Sequence, residues 1–239
     1  MVDTRRRLFD SCRGFPRDFQ NIRESGRMGV GIARGMRLGL VLLVSAVLTA
    51  CGPAEPLWAP DAEVARSVYR DDGPASLTLY TVVGKKSRSG VHSGLLVNAP
   101  SQRAIFDPAG TFFHPHLPER NDVVFGMSDA AVDFYIDYHA RVTFDVIEQT
   151  VLVSPEVAEL ALAKVQAYGA VRKAHCADSV TDILAGLPGF EAAPQTMFPN
   201  KLKAWFGTLP NATYQSYSDD SPDERGVAMA NVPHLLLSN

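Results

Sequence analysis

The chain has 239 residues, 46% hydrophobic and 21% charged. This is ordinary globular composition, which excludes wholesale disorder, collagen and coiled-coil arrays and fits one domain with an appendage. Residues 1–50 carry 9 Lys and Arg against 4 Asp and Glu, and residues 51–239 carry 14 against 22. The body is therefore acidic, which argues against a nucleic-acid partner.

The first element in chain order is a targeting segment. Arg34 and Arg37 precede an apolar run from Leu38 to Leu48, and small residues lead to Cys51. That is the order of a secretory signal, and the run is shorter than the roughly 20 residues a membrane span needs. Leu48-Thr49-Ala50-Cys51 resembles the lipobox of bacterial lipoproteins. The resemblance implies cleavage before Cys51, lipidation of that cysteine and a membrane anchor. Gly52 in place of Asp favours the outer membrane, with the domain facing the periplasm. Arg5 to Arg7 and Cys12 are unusual ahead of such a signal, so translation from Met28 or Met36 is an alternative start. Residues 1–50 are accordingly read as signal peptide, 51–61 as lipidated cysteine and Pro-rich linker, and 62–239 as the folded domain.

The domain opens with one or two helical turns near Val64 to Tyr69. Strands are predicted at Ser76–Val83, Val91–Val97 and Gln102–Asp107, where β-formers partly alternate. Lys85, Lys86 and Arg88 make a basic loop between the first two, read as a solvated turn. Pro108, Gly110, Pro115 and Pro118 break the next stretch, and Asp129–His139 reads as a helix. Its aromatics, with Phe112, Phe113 and Phe125, are assigned to the core. Arg141–Val146 alternates as a strand, with Val151–Val153 continuing it after an irregularity. Ser154-Pro155 suits an N-cap and first helical residue, and Gly169 a stop. Val157, Leu160, Ala161, Val165 and Tyr168 are placed on its inner face. A second helix runs from Cys176 to Ala185 and a third near Lys201–Phe206, followed by a polar acidic loop at Ser216–Glu224 and an apolar ending. The fold class is α+β.

Cys176 is the first chemical candidate. Val180, Ile183, Leu184 and Leu187 follow it at helical offsets, which turns the cysteine inward. A thiol at a helix N-terminus feels the positive end of the helix dipole, which favours the nucleophilic thiolate. Of six histidines, His92 lies inside a strand, beside Gly94, whose bare Cα leaves room for another element. With Asn98–Ser101 as a four-residue hairpin loop, Val97 faces Gln102 and His92 faces Asp107. Cys176, His92 and Asp107 then form a nucleophile, base and orienting carboxylate.

Gly90-Val91-His92-Ser93-Gly94-Leu95-Leu96-Val97, then Ala104-Ile105-Phe106-Asp107-Pro108-Ala109-Gly110, resembles the histidine hairpin of NlpC-type papain-like proteins. His175-Cys176-Ala177-Asp178-Ser179-Val180 resembles their cysteine helix. With the histidine ahead of the cysteine, the order resembles the circularly permuted branch that includes lecithin:retinol-acyltransferase-like proteins. The resemblance spans Leu77 to Leu187. It implies a small antiparallel sheet packed against helices, with Cys176 as nucleophile, His92 as base and Asp107 as orienting residue. It also implies a thiol hydrolase or acyltransferase acting through a thioester. The anchor at Cys51 makes an amide of peptidoglycan peptides the first substrate, and the permuted branch makes an acyltransferase or hydrolase on lipid esters or amides the alternative. No cofactor is expected. Two other classes compete: a metal site built from His114 and His116 with Asp107 or His139, and a catalytically silent binding module.

Overall fold

In a computed structural model, the described residues are 54 and 56–224. The signal segment, Cys51 and the apolar ending beyond residue 224 lie outside them. Seven strands form one antiparallel sheet, in the order β4-β5-β3-β2-β1-β6-β7. The strands are β1 (Ser76–Gly84), β2 (Gly90–Asn98), β3 (Arg103–Phe106), β4 (Glu119–Arg120), β5 (Val123–Phe125), β6 (Phe144–Leu152) and β7 (Gln215–Ser218). The helices are α1 (Asp61–Arg66), α2 (Asp129–His139), α3 (Pro155–Tyr168), α4 (Cys176–Ala185) and α5 (Pro199–Phe206).

Alternation along the strands divides the interior into two cores. Leu77, Leu79, Leu95, Val97, Phe106 and Val151 face α3, α4 and α5. Tyr80, Leu96, Ile105 and Val146 face α2 and the Phe112 ring on the opposite side. Central strand β1 is buried on both faces, as its Leu, Tyr and Val content dictates. Residues ahead of α1 join the sheet edge: Ala59 N–H donates to the Glu119 carbonyl and Asn121 N–H to the Leu57 carbonyl, each at 3.0 Å. Trp58 lies under the Arg120 guanidinium, 4.6 Å from ring centroid to Cζ. Among the described residues, no helix is long and apolar enough to cross a membrane.

Helix ends follow the local chemistry. The Ser128 and Ser154 hydroxyls accept first-turn N–H bonds at the starts of α2 and α3, and Gly169 closes α3 at φ 91°. Several expectations are corrected. The first helix lies earlier, at Asp61–Arg66, where Pro60 sits at its N-cap. β6 runs unbroken from Phe144 to Leu152, because it pairs with β1 at every residue from Ser76 to Gly84. Within the expected acidic loop, Ser216–Ser218 belong to an edge strand whose Tyr217 hydroxyl bonds Glu148 at 3.1 Å. In α3 the inner face is Ala158, Ala161, Leu162 and Val165, while Leu160 and Tyr168 are 39% and 38% exposed. The stripe is turned by about one residue relative to the expected one.

Candidate active site

The hairpin β2–β3 has a four-residue loop, but it is Ala99–Gln102, with Asn98 paired to Arg103 and Leu95 to Phe106. The expected pairing of Val97 with Gln102 is therefore shifted by two residues. Arg103 fixes this register: its guanidinium is buried against Asp71 at 2.9 Å, Asp129 at 2.6 Å and the Met127 carbonyl, with the Tyr69 ring beneath it. An even slip preserves which face each side chain occupies. Continuing the register sets Asp107 across from Gly94 rather than His92, with His92 a diagonal neighbour on the same face. The two still meet, because Gly94 puts no side chain between them. His92 Nε2 lies 2.7 Å from Asp107 Oδ1.

β3 ends at Phe106, so β2 from Gly90 to Gly94 has no β3 neighbour on that edge. The N-terminus of α4 is brought against this vacated edge. There the Cys176 thiol faces the His92 ring and the Ser93 and Ala177 N–H groups, which set its electrostatics. With Nε2 committed to Asp107, Nδ1 is the His92 nitrogen left for the sulfur. Cys176 is 6% exposed and Asp107 4%, so this relay is shielded from bulk water. No side chain caps the start of α4, where His175 occupies the N-cap and turns its ring onto Asp178, 2.7 Å away.

The electrostatics favour an ionised pair. Burial alone would lower the His92 pKa, but the Asp107 charge and hydrogen bond, then Cys176, outweigh it and lift the ring to about 10. Burial opposes ionisation of Asp107, yet the His92 contact, a second histidine at position 139 and the Tyr135 hydroxyl pull it down to about 2. Burial likewise raises the Cys176 thiol, and the His92 bond and charge with the two backbone N–H groups bring it below its usual value.

Three further residues complete the arrangement. Tyr135 donates its hydroxyl to Asp107 Oδ1 at 2.7 Å. His139 lies one helical turn beyond Tyr135, its ring nearly parallel to that of His92, at 10° and 5.7 Å between centroids. Asp122, in the β4–β5 turn, accepts from Val171 N–H at 2.7 Å and from Ala109 N–H. It ties the segment after Asp107 to the loop that leads into Cys176. Asn121 and Asp122 both hold positive φ, 45° and 66°, as a two-residue hairpin turn of the primed kind demands. Ala109 and Ala174 also hold positive φ, 56° and 69°, so the backbone is constrained on both sides of the relay.

A cavity of about 230 Å³ opens beside the relay, bounded by Val82, Val91, His92, Gly110, His139 and Phe144. The expected pairing of His114 and His116 with Asp107 or His139 is not formed. His114 is buried against Phe134, with Nδ1 accepting the His116 N–H at 3.1 Å, and the imidazole near Asp107 is His139 alongside His92. The basic loop is largely neutralised, Lys85 and Arg88 both lying against Asp145. Of the three added residues, Asp122 carries no sequence signal, since a turn acid before a strand is commonplace. Tyr135 and His139 share an i, i+4 face, and Gly94 marks the space one of them fills.

No family model, curated protein or solved structure matches this chain.

Proposed function

We propose that this protein is a cysteine hydrolase of papain-like, permuted NlpC type, with Cys176 as nucleophile, His92 as base and Asp107 as orienting carboxylate. The observation that carries the reading is the 2.7 Å contact of His92 with Asp107, with the Cys176 thiol set against the same imidazole. Each polar end has a defined partner, and each pKa moves in the direction an active thiolate needs.

The reaction follows from these atoms. The Cys176 thiolate attacks an amide carbonyl carbon, forming the C–S bond and a tetrahedral oxyanion. N–H groups in the first turn of α4, that of Cys176 among them, stabilise the oxyanion at the positive end of the helix. As the C–N bond breaks, the His92 imidazolium gives its proton to the departing amine and a thioester remains. Water then attacks the thioester while His92 takes its proton. The C–S bond breaks, releasing the acid and restoring the thiolate.

An anchor at Cys51 would hold the domain beside the cell wall, which makes peptidoglycan peptides the first substrate and the periplasmic face of the outer membrane the expected location. The test is a thiol-directed activity probe on the wild type and Cys176→Ala, with product analysis on purified cell wall and on phospholipid vesicles. Labelling and amide cleavage lost in the variant support the reading. Acyl release from phospholipid instead moves the substrate to lipids. Slow labelling of Cys176 near neutral pH with no turnover on either substrate identifies a binding module.

A further inference from the structure

We propose that His92, Asp107 and His139 also form a binding site for a borderline transition-metal ion such as Zn2+, and that an ion held there silences the Cys176 thiol. Ligand atoms of the three side chains lie within 4.8 Å of one another in the protein interior. Zinc bound at about 2.0–2.2 Å from tetrahedral N and O ligands sets them roughly 3.3 Å apart, so closure draws the widest pair in by up to about 1.5 Å.

Two independent features favour a metal. Nδ1 of His139 lies 2.8 Å from the Tyr135 carbonyl, which can only accept, so Nδ1 carries a proton and a metal would displace the other proton, at Nε2. A backbone carbonyl holding one imidazole nitrogen is the usual outer support of a metal-binding histidine. Second, the His92 and His139 rings both border the 230 Å³ cavity, which supplies room for a water or exogenous ligand at an open coordination position. Two imidazoles and one carboxylate suit zinc or its neighbours; magnesium and calcium prefer oxygen-rich sets.

Zinc on His92 Nε2 takes the place of the proton shared with Asp107, and that proton leaves to solvent. The carboxylate then serves the ion rather than the ring, and His92, metal-bound at Nε2, no longer has Asp107 to support the proton that Nδ1 exchanges with the sulfur. The binding claim stands apart from the hydrolase reading; only the silencing rests on it.

The experiment titrates the metal-free full chain with Zn2+ against a competing chelator dye, in parallel with iodoacetamide labelling of Cys176. The expected result is one zinc per chain, slowed labelling, and affinity lowered at least about tenfold in His139→Ala or the bulkier His139→Gln. Cys176→Ser should keep its zinc. No stoichiometric binding, or unchanged affinity in a folded His139 variant, overturns the proposal. Should both variants unfold, Co2+ in the wild type decides: an intense near-ultraviolet sulfur-to-metal band would mean Cys176 is a ligand, and the assigned set would be wrong. Weak d–d bands without it support the set. Because zinc is read by binding and not turnover, a failed hydrolase assay leaves this outcome distinct.

Discussion

The Tyr135 hydroxyl meets Asp107 directly over the bare Cα of Gly94. A Cβ at Gly94 would collide with that hydroxyl and stand 3.3 Å from Asp107 Oδ1. Helix α2 on one face of the sheet thereby holds the carboxylate that contacts His92. Tyr135→Phe removes one hydrogen bond to a charged acceptor, and Cys176 labelling by iodoacetamide should slow about tenfold. Gly94→Ala should slow it further, because both Tyr135 and Asp107 must move. Unchanged labelling in both would show that the clamp on Asp107 is irrelevant to the thiol.

Asp122→Ala should leave the Val171 and Ala109 N–H groups without their carboxylate, at a cost of about 1–3 kcal/mol each where water cannot replace it. The expected signature is a lower Tm together with slower labelling of Cys176, because the loop into α4 loses its tie to the segment after Asp107. A lower Tm with normal labelling would assign Asp122 to stability alone.

Glu119 gives the fold a pH dependence. Burial, then the Asp122 and Asp107 charges, raises its carboxyl from 4.5 to about 7. The folded state therefore binds this proton more tightly than the unfolded chain does. The associated stability is fully present below about 4.5 and is lost as pH rises through about 7. Thermal melts across that window should fall more steeply with pH for the wild type than for Glu119→Gln. Parallel curves would remove Glu119 as the cause.

Arg103→Ala strips a buried guanidinium from Asp71, Asp129 and the Met127 carbonyl and should cost about 3 kcal/mol by urea melts. Arg103→Lys should recover only part, since one ammonium cannot span those partners in the same plane. Full recovery would show that charge alone, not the fork geometry, holds the β2–β3 register.

The elements whose ends are set by local chemistry were legible in the sequence. Ser154-Pro155 and Gly169 bound α3, and α2 and α4 begin and end where their residues predict. The hairpin register was not, because Ala99-Pro100-Ser101-Gln102 and Asn98-Ala99-Pro100-Ser101 are equally good turns. What separates them is Arg103, whose partners lie 32 and 26 residues away in sequence. Edge strand β7 was hidden for a similar reason: its polar residues read as a loop, and the β6 edge alone makes them a strand.

Within the site, Cys176, His92 and Asp107 were readable from chemistry and order, and the meeting of His92 with Asp107 survived a wrong register because the slip was even. Tyr135 and His139 were hidden by their own helix, where aromatic residues at helical spacing are most simply core. Only the crossing of α2 over β2 turns one hydroxyl and one ring toward a carboxylate 28 residues earlier.

The backbone bonds of Ala59 with Glu119 in β4 and of Leu57 with Asn121 just after it make the linker ahead of α1 a rung of the sheet. A chain trimmed to begin at Asp61 would bare two acceptor and donor sites along an outer strand only two residues long, together with the face of Arg120 that Trp58 covers. Unpaired strand borders recruit other chains. Such trimming should therefore show first as self-association in light scattering, before any change in iodoacetamide labelling of Cys176.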